Sequence, residues 1–334
     1  MIKILVFTLA FLLHSAAYAV AEKDFNQVWS NDVMPYFATG QQRTYINSQG
    51  LKLNYFSFVR SRNTKTIVLL PGRTEPAIKY AEFIYDMRAQ KTNIYILDHQ
   101  GQGASERLLT DSHKGYVEHF VDYARDLSGW LDEVVVPETE GQDRYLVAHS
   151  MGATIGTLYL AYGKPIFKKS VLSCPMMEIN TKPYKENIGR LLTNILVLAG
   201  QGKKYAPDRG PYIATDDTFE KNEVTHSEPR FNMAKALFVT MPSLALGGPT
   251  SRWVAQSLKT TKRIDTLAEK IKIPLLMFQS GLDLIVQPGR QNTFCEKISN
   301  CKKIHFANAH HEILQETDDL RNQAIEQIKM FINN

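Results

Sequence analysis

Apolar positions along the chain fall into two kinds of pattern. Short, mostly apolar runs recur at residues 66–70, 93–97, 145–147, 170–173, 274–278 and 303–306, and such runs read as strands of a parallel sheet covered on both faces. Between them lie stripes of helical period. Tyr80, Phe83, Ile84 and Met87 make one; Tyr116, Phe120, Tyr123, Leu127, Trp130 and Leu131 make another; Leu320, Ala324, Ile328 and Phe331 make a closing helix with Thr317 at its N-cap. These stripes are core faces rather than cofactor sites. Residues 45–60 read as a hairpin turning near Ser48-Gln49-Gly50. Strands alternating with helices predict a doubly wound α/β sheet with helices on both faces. The interval 176–254 breaks the alternation. It carries Ile188, Leu191, Leu192, Ile195 and Leu198 and a second apolar run over 231–246, and reads as a helical cap inserted between two parts of one core, 22–175 and 255–334.

The N-terminus has a different pattern. Lys3 precedes an apolar run over 4–13, and small residues offer cleavage at Ala17-Tyr18-Ala19 or Ala19-Val20-Ala21. Residues 1–21 are therefore expected to be a signal peptide, sending the chain to the periplasm or the exterior. The alternative is an uncleaved membrane anchor, because the stretch through Ala21 is almost long enough to span a bilayer. With export, Cys295 and Cys301 can pair around a short loop, while Cys174 reads as a buried apolar filler.

Composition adds bounds rather than identity. The 334 residues are 44% hydrophobic, enough to bury a large core, and show no repeat. A net charge of +5, spread along the chain, inclines slightly toward an anionic surface. Nucleic acid has no motif behind it, and nothing calls for a metal or a cofactor.

Candidate chemistry begins at Ala148-His149-Ser150-Met151-Gly152. An apolar run delivers this serine straight into a helix rich in small residues, the pattern of a nucleophile elbow with Ala148 in place of the usual first glycine. Past the run 274–278 comes Asp283, and past the run 303–306 come His310 and His311. Serine, acid and histidine in that chain order, each beyond the carboxyl end of a strand, fit an α/β-hydrolase triad. The chemistry needs these types: the histidine takes the serine proton during attack and returns it to the leaving group, and the carboxylate orients the ring. Asp283 on its own also fits a turn, and either histidine can be a loop residue. Pro71-Gly72-Arg73 follows the run 66–70 and supplies a turn where amides gather, so the oxyanion donors are expected at the Arg73 and Met151 backbone N–H groups. The Arg73 side chain reads as a partner of Glu75 or as a holder of an anionic head group.

Taken together, Pro71-Gly72-Arg73, Lys79-Tyr80-Ala81-Glu82, Asp98-His99-Gln100-Gly101-Gln102-Gly103-Ala104-Ser105, the serine motif, Gly247-Gly248-Pro249-Thr250 with Trp253, and His311-Glu312-Ile313-Leu314 resemble the bacterial lysophospholipase L-two group, which sits beside the monoglyceride lipases. The resemblance implies a serine esterase that removes the acyl chain of a lysophospholipid. Monoacylglycerol lipase and general carboxylesterase are the alternatives, and a catalytically silent lipid-binding relative is the alternative of another class. It also implies that His311, immediately before Glu312-Ile313-Leu314, is the general base. Gln100 departs from the group, which has arginine there, and this puts the bracing of its loop in question. A cap over such a site implies cover for an acyl chain, with Met176, Met177, Phe238, Met241 and Leu244 as the expected contacts, and amphipathic faces suited to a membrane surface.

Overall fold

The computed structural model describes residues 19–60 and 64–334. The signal-peptide segment therefore lies almost wholly outside the described residues. Eight strands form one sheet: β1 (Gln41–Ile46), β2 (Lys52–Phe58), β3 (Lys65–Leu70), β4 (Thr92–Leu97), β5 (Asp143–His149), β6 (Phe167–Ser173), β7 (Leu275–Ser280) and β8 (Cys301–Phe306). Their order is β1-β2-β4-β3-β5-β6-β7-β8. β1 and β2 form the expected hairpin, β2 lies antiparallel to β4, and all remaining pairs are parallel.

The unbroken apolar runs have a simple cause. Side chains alternate across the sheet, so Val68 and Leu70 enter one core layer with Tyr95, Leu97, Leu127, Trp130 and Leu146, while Ile67 and Leu69 enter the other with Phe83, Ile84, Ile94, Ile96 and Ile328. β4 and β7 are buried along their whole length. β8 departs from the expectation of a fully buried set. It is one of the two edge strands, with Lys302, Lys303 and His305 exposed and Phe306 buried, and lysines on an edge discourage pairing with another chain.

The helix Phe120–Trp130 starts at a capping box formed by His119 and Asp122, leaving Tyr116 buried but outside it. The closing helix, Asp318–Asn333, has Thr317 at its N-cap, but the hydroxyl makes no capping bond. Its buried stripe is Arg321, Ala324, Ile325, Ile328 and Ile332, whereas Leu320 and Phe331 are only partly covered. The stripe turns because a largely buried ion cluster draws Arg321 inward: Arg321 reaches Asp86 and Glu82, and Arg230 reaches Glu82 and the partly exposed Asp318. The Val20 carbonyl accepts from the same Arg230 at 3.0 Å. The start of the described chain, a helix between β6 and β7, and the closing helix are thus tied by one cluster.

Between Ser173 and Leu275 the chain leaves the sheet and forms the helices Glu186–Leu196, Glu228–Thr240 and Ser251–Thr261 over its carboxyl edge. Cys295 and Cys301 are disulfide-bonded with Cα atoms 5.5 Å apart, and Cys174 is buried and free. No helix among the described residues is long and apolar enough to cross a membrane.

Candidate active site

β5 ends at His149 and the helix Ser150–Tyr162 begins at the next residue. No room remains for a loop, so Ser150 takes a positive φ of 49°, a strained conformation for a residue with a side chain. The strain is held by close packing. A Cβ on Gly152 would sit 2.4 Å from both the Leu70 and Pro71 carbonyl oxygens, so only glycine lets this helix cross the end of β3. Met176 N–H donates to the Ser150 carbonyl at 3.0 Å and pins the elbow from the β6 side.

The loops after β7 and β8 bring two more groups to the serine. His311 Nδ1 donates to Asp283 Oδ2 at 2.7 Å, which leaves Nε2 as an acceptor for the Ser150 hydroxyl at 2.8 Å. Asp283 both closes a turn and faces the histidine. Its Oδ1 accepts from the Ile285 and Val286 amides, each at 2.9 Å, closing a turn, while Oδ2 faces His311. Burial would raise this carboxyl, but His311 and the two amides outweigh it and hold it below the ordinary value. His310 lies outside this set: its ring stacks on His226, with centroids 4.0 Å apart, and Nδ1 meets the Leu282 carbonyl.

The loop Pro71-Gly72-Arg73 is fixed from below by the turn after β4. His99 Nε2 donates to the Pro71 carbonyl at 3.1 Å and Gln102 Nε2 donates to the Gly72 carbonyl at 2.8 Å. In a trans peptide the carbonyl and the following N–H point opposite ways. Drawing the Gly72 carbonyl toward Gln102 therefore turns the Arg73 N–H away from it. Neither that amide nor the Met151 amide donates to a protein acceptor among the described residues. The departure at Gln100 does not leave its turn unbraced. Gln100 Nε2 and Asn47 Nδ2 donate to the two oxygens of Asp126, and Asp98 accepts from the Ala77 and Ala104 amides and from Asn54.

A buried charge network that the sequence reading missed joins the three loops. Glu75 Oε2 accepts from Gly72 N–H at 2.5 Å, Tyr80 Oη at 2.6 Å and His149 Nδ1 at 2.9 Å. Lys79 Nζ bridges Glu75 and Glu312 at 3.0 and 2.6 Å. His149 Nε2 donates to the carbonyl of His311 at 3.2 Å. Both ring nitrogens of His149 thus face acceptors, which makes it an imidazolium. Burial opposes that charge, but Glu75 outweighs burial and raises the imidazole above its usual value. Burial likewise opposes ionised Glu75, yet Lys79 and His149 hold it well below the carboxylate range. The signal available in sequence was the i, i+4 spacing of Glu75 and Lys79.

Ser150 and His311 open into a cavity of about 830 Å³, within the usual range for small-molecule sites. Its apolar wall includes Met176, Ile179, Leu192, Trp253, Val254 and Leu258. Of the five expected acyl contacts only Met176 lines it. Met177 is buried in the core beneath, Phe238 packs edge-on against Tyr212, Met241 packs on the core layer around Ile328, and Leu244 is also outside the wall. Among the described residues the Arg73 side chain pairs with no carboxylate, contrary to one expectation: it donates to the Gly247 carbonyl and lies over the Trp253 ring, 5.2 Å from the centroid. The Gly-Gly-Pro-Thr segment with Trp253 is thus the part of the insertion docked on this loop.

Cys174, Asp283 and His311 are the one grouping among the described residues whose ligand atoms lie close enough for a metal, within 4.8 Å of one another. Asp283 and His311 are already bonded to each other, and burial, with Asp283 adding to it, keeps the Cys174 thiol protonated.

Comparison with known proteins gives concordant findings. Residues 61–318 match the family described as serine aminopeptidase, S33. The chain is 31% identical over 317 residues to a probable lysophospholipase L2 of Haemophilus influenzae, covering 94% of this chain and 99% of that one. It is 30% identical over 290 residues to lysophospholipase L2 of Escherichia coli strain K12, covering 85% and 84%. Among solved structures it is similar to a soluble variant of monoglyceride lipase from Saccharomyces cerevisiae in complex with a substrate analogue, with a TM-score of 0.70 at 15% identity over 88% and 94% of the two chains. That likeness concerns the fold, which is the α/β-hydrolase fold.

Proposed function

The chain belongs to the serine hydrolase family described as serine aminopeptidase, S33, and its relatives over most of its length include a probable lysophospholipase L2 and a lysophospholipase L2; from that premise we propose that it hydrolyses the acyl ester of lysophospholipids. The observation that carries the reading is the hydrogen-bonded chain from Ser150 through His311 to Asp283 in a cavity with an apolar wall. Ser150 Oγ attacks the ester carbonyl carbon as His311 Nε2 takes its proton, and the oxyanion forms against the Arg73 and Met151 amides. Collapse breaks the ester C–O bond, with His311 returning the proton to the departing glycerol oxygen. Water then repeats the sequence on the acyl-serine, releasing the fatty acid. A catalytically silent lipid binder has no need of a strained serine bonded to a carboxylate-oriented histidine. Ser150→Ala tests this: turnover of lysophosphatidylethanolamine and labelling by a fluorophosphonate should both vanish while the melting temperature stays near wild type. Retained turnover in a clean preparation would refute it.

The substrate is delivered from a lipid surface. Leu198 is 88% exposed and Leu191 62%, with Ile188, Ile195 and Tyr184 beside them. Leu192, on the same helix, and the exposed Leu284 and Ile285 line the cavity. An apolar rim around the entrance, flanked by exposed Lys182 and Lys185, suits shallow insertion into an anionic membrane face. The chain acts outside the cytoplasm, in the periplasm or beyond, after removal of its leader. What supports this is the leader pattern in the sequence and the Cys295–Cys301 disulfide. Cleavage after Ala19 keeps the Val20 carbonyl on Arg230, whereas cleavage after Ala21 removes it, and this contact favours a mature start at Val20 over one at Glu22. The unit built from 22–175 and 255–334 with the cap 176–254 acts as one catalytic body.

A further inference from the structure

Arg73 has no anionic partner among the described residues. Its guanidinium is half-buried at the cavity wall, spends one Nη donor on the Gly247 carbonyl, and leaves Nε buried without a partner. The site is shaped around it: a Cβ on Gly115 would come within 2.6 Å of Nη2. Arg209 lies close by, exposed, with no ion pair or side-chain hydrogen bond among the described residues. Burial draws the Arg73 guanidinium down to about 10, and repulsion from Arg209 acts in the same direction although Tyr123 opposes it. Buried charge of this kind is costly unless something pairs with it.

Both arginines border a side cavity of about 370 Å³, and both, with Thr74 and Pro249, also border the reaction cavity. The two spaces therefore share a wall at Arg73. The smaller one is also lined by Asp216, exposed, and by Asp217, which accepts from Tyr212 Oη at 2.8 Å. Resting on the lysophospholipase reading above, we propose that this side cavity receives the zwitterionic phosphodiester head group of the substrate, with the phosphate between Arg73 and Arg209 and the amine toward Asp216 and Asp217. The placement follows from one residue. The backbone N–H of Arg73 faces the ester carbonyl and its side chain reaches away from it, just as the glycerol of a lysophospholipid separates the acyl ester from the phosphate. Arginine suits the task because its planar fork binds phosphate through two parallel hydrogen bonds. A monoacylglycerol has no group for either arginine.

Lysophosphatidylethanolamine and a monoacylglycerol of the same acyl chain, in neutral mixed micelles at equal surface concentration, test the proposal with the full chain. Arg209→Gln, an exposed substitution whose folding is checked by circular dichroism, should lower kcat/KM for the phospholipid by about tenfold, the size of a lost charge-assisted hydrogen bond. The ratio of phospholipid to monoacylglycerol turnover should fall by a similar factor, and Arg209→Glu should lower it further. Glycerophosphoethanolamine should compete with monoacylglycerol hydrolysis in wild type and more weakly in Arg209→Gln. Equal losses on both lipids, or competition by inorganic phosphate as strong as that by glycerophosphoethanolamine, would overturn the head-group site and leave the lysophospholipase reading standing. Wild-type turnover of monoacylglycerol without any of lysophospholipid would instead overturn that reading.

Discussion

Glu75→Gln is the most informative single substitution in this site. The two carboxylate oxygens of Glu75 face four donors: Gly72 N–H, Tyr80 Oη, His149 Nδ1 and Lys79 Nζ. Glutamine keeps the volume but offers one oxygen, and its NH₂ must point at donors. It also removes the anion from His149, while Lys79 keeps Glu312. Breaking a buried pair by removing one partner costs about 3 kcal/mol. Because Glu75 holds Gly72 and His149, which flank the two oxyanion amides in sequence, displacing it should also misplace a donor, a loss of about a hundredfold in kcat with KM little changed. The pH dependence has a definite sign. His149, raised when folded, contributes stability that is full below its unfolded value near 6.5 and is lost as pH rises through the folded value. Glu75, lowered when folded, contributes above its unfolded value near 4.5, and that is lost as pH falls through the folded value. The gap in melting temperature between wild type and variant should thus be widest between about pH 4.5 and 6.5. Initial rates on a short soluble ester and thermal melts across pH 4 to 9 measure both effects. A variant with kcat near wild type and a pH-independent stability gap would refute the coupling of these loops through Glu75.

His311→Ala should cut turnover by about a thousandfold or more, whereas His310→Ala, whose ring stacks on His226, should retain most of it in the same assay; equal losses would reopen the choice of base. Leu192→Trp should lower turnover of long-chain lysophospholipid more than that of a short ester, because it fills the cavity wall, while Phe238→Trp should leave that ratio alone; a Phe238 effect as large as the Leu192 effect would restore it as an acyl contact. Leu191→Asp with Leu198→Asp should reduce sedimentation with anionic vesicles while sparing hydrolysis of a soluble ester, and unchanged sedimentation would remove the rim from the membrane surface. N-terminal sequencing of the protein from its native host should begin at Val20; a start at Glu22, or an intact Met1 in the membrane fraction, would contradict that.

The sheet was legible because each core strand is buried on both faces, so its hydrophobic run is unbroken and needs no long-range information. Only β8 misled, since an edge strand with Lys302, Lys303 and His305 outward keeps one buried position, Phe306, at its end. The placement of Ser150, Asp283 and His311 was legible for a related reason. Each sits within a few residues of a strand end, and the parallel sheet carries those ends to one edge whatever lies between. Lipid contacts in the insertion follow no such rule. Leu191, Leu192 and Leu198 are chemically alike, yet Leu192 lines the cavity while Leu191 and Leu198 face outward, and that difference is set by how the helix docks.

The buried ions were illegible for the opposite reason, since a sequence reading assigns charge to the surface by default. Glu75, Lys79, Glu82, Asp86, Arg230 and Arg321 are all buried, and partners can lie far apart in the chain: Arg321 is 235 positions from Asp86. These pairs cost desolvation energy that apolar packing would avoid, so their benefit must lie in geometry. Glu75 reaches the oxyanion loop and the elbow together, and through His149 the carbonyl of His311. An apolar substitute would fill the same space without directing a single amide. That is the physical reason to expect the network to be felt in kcat more than in KM.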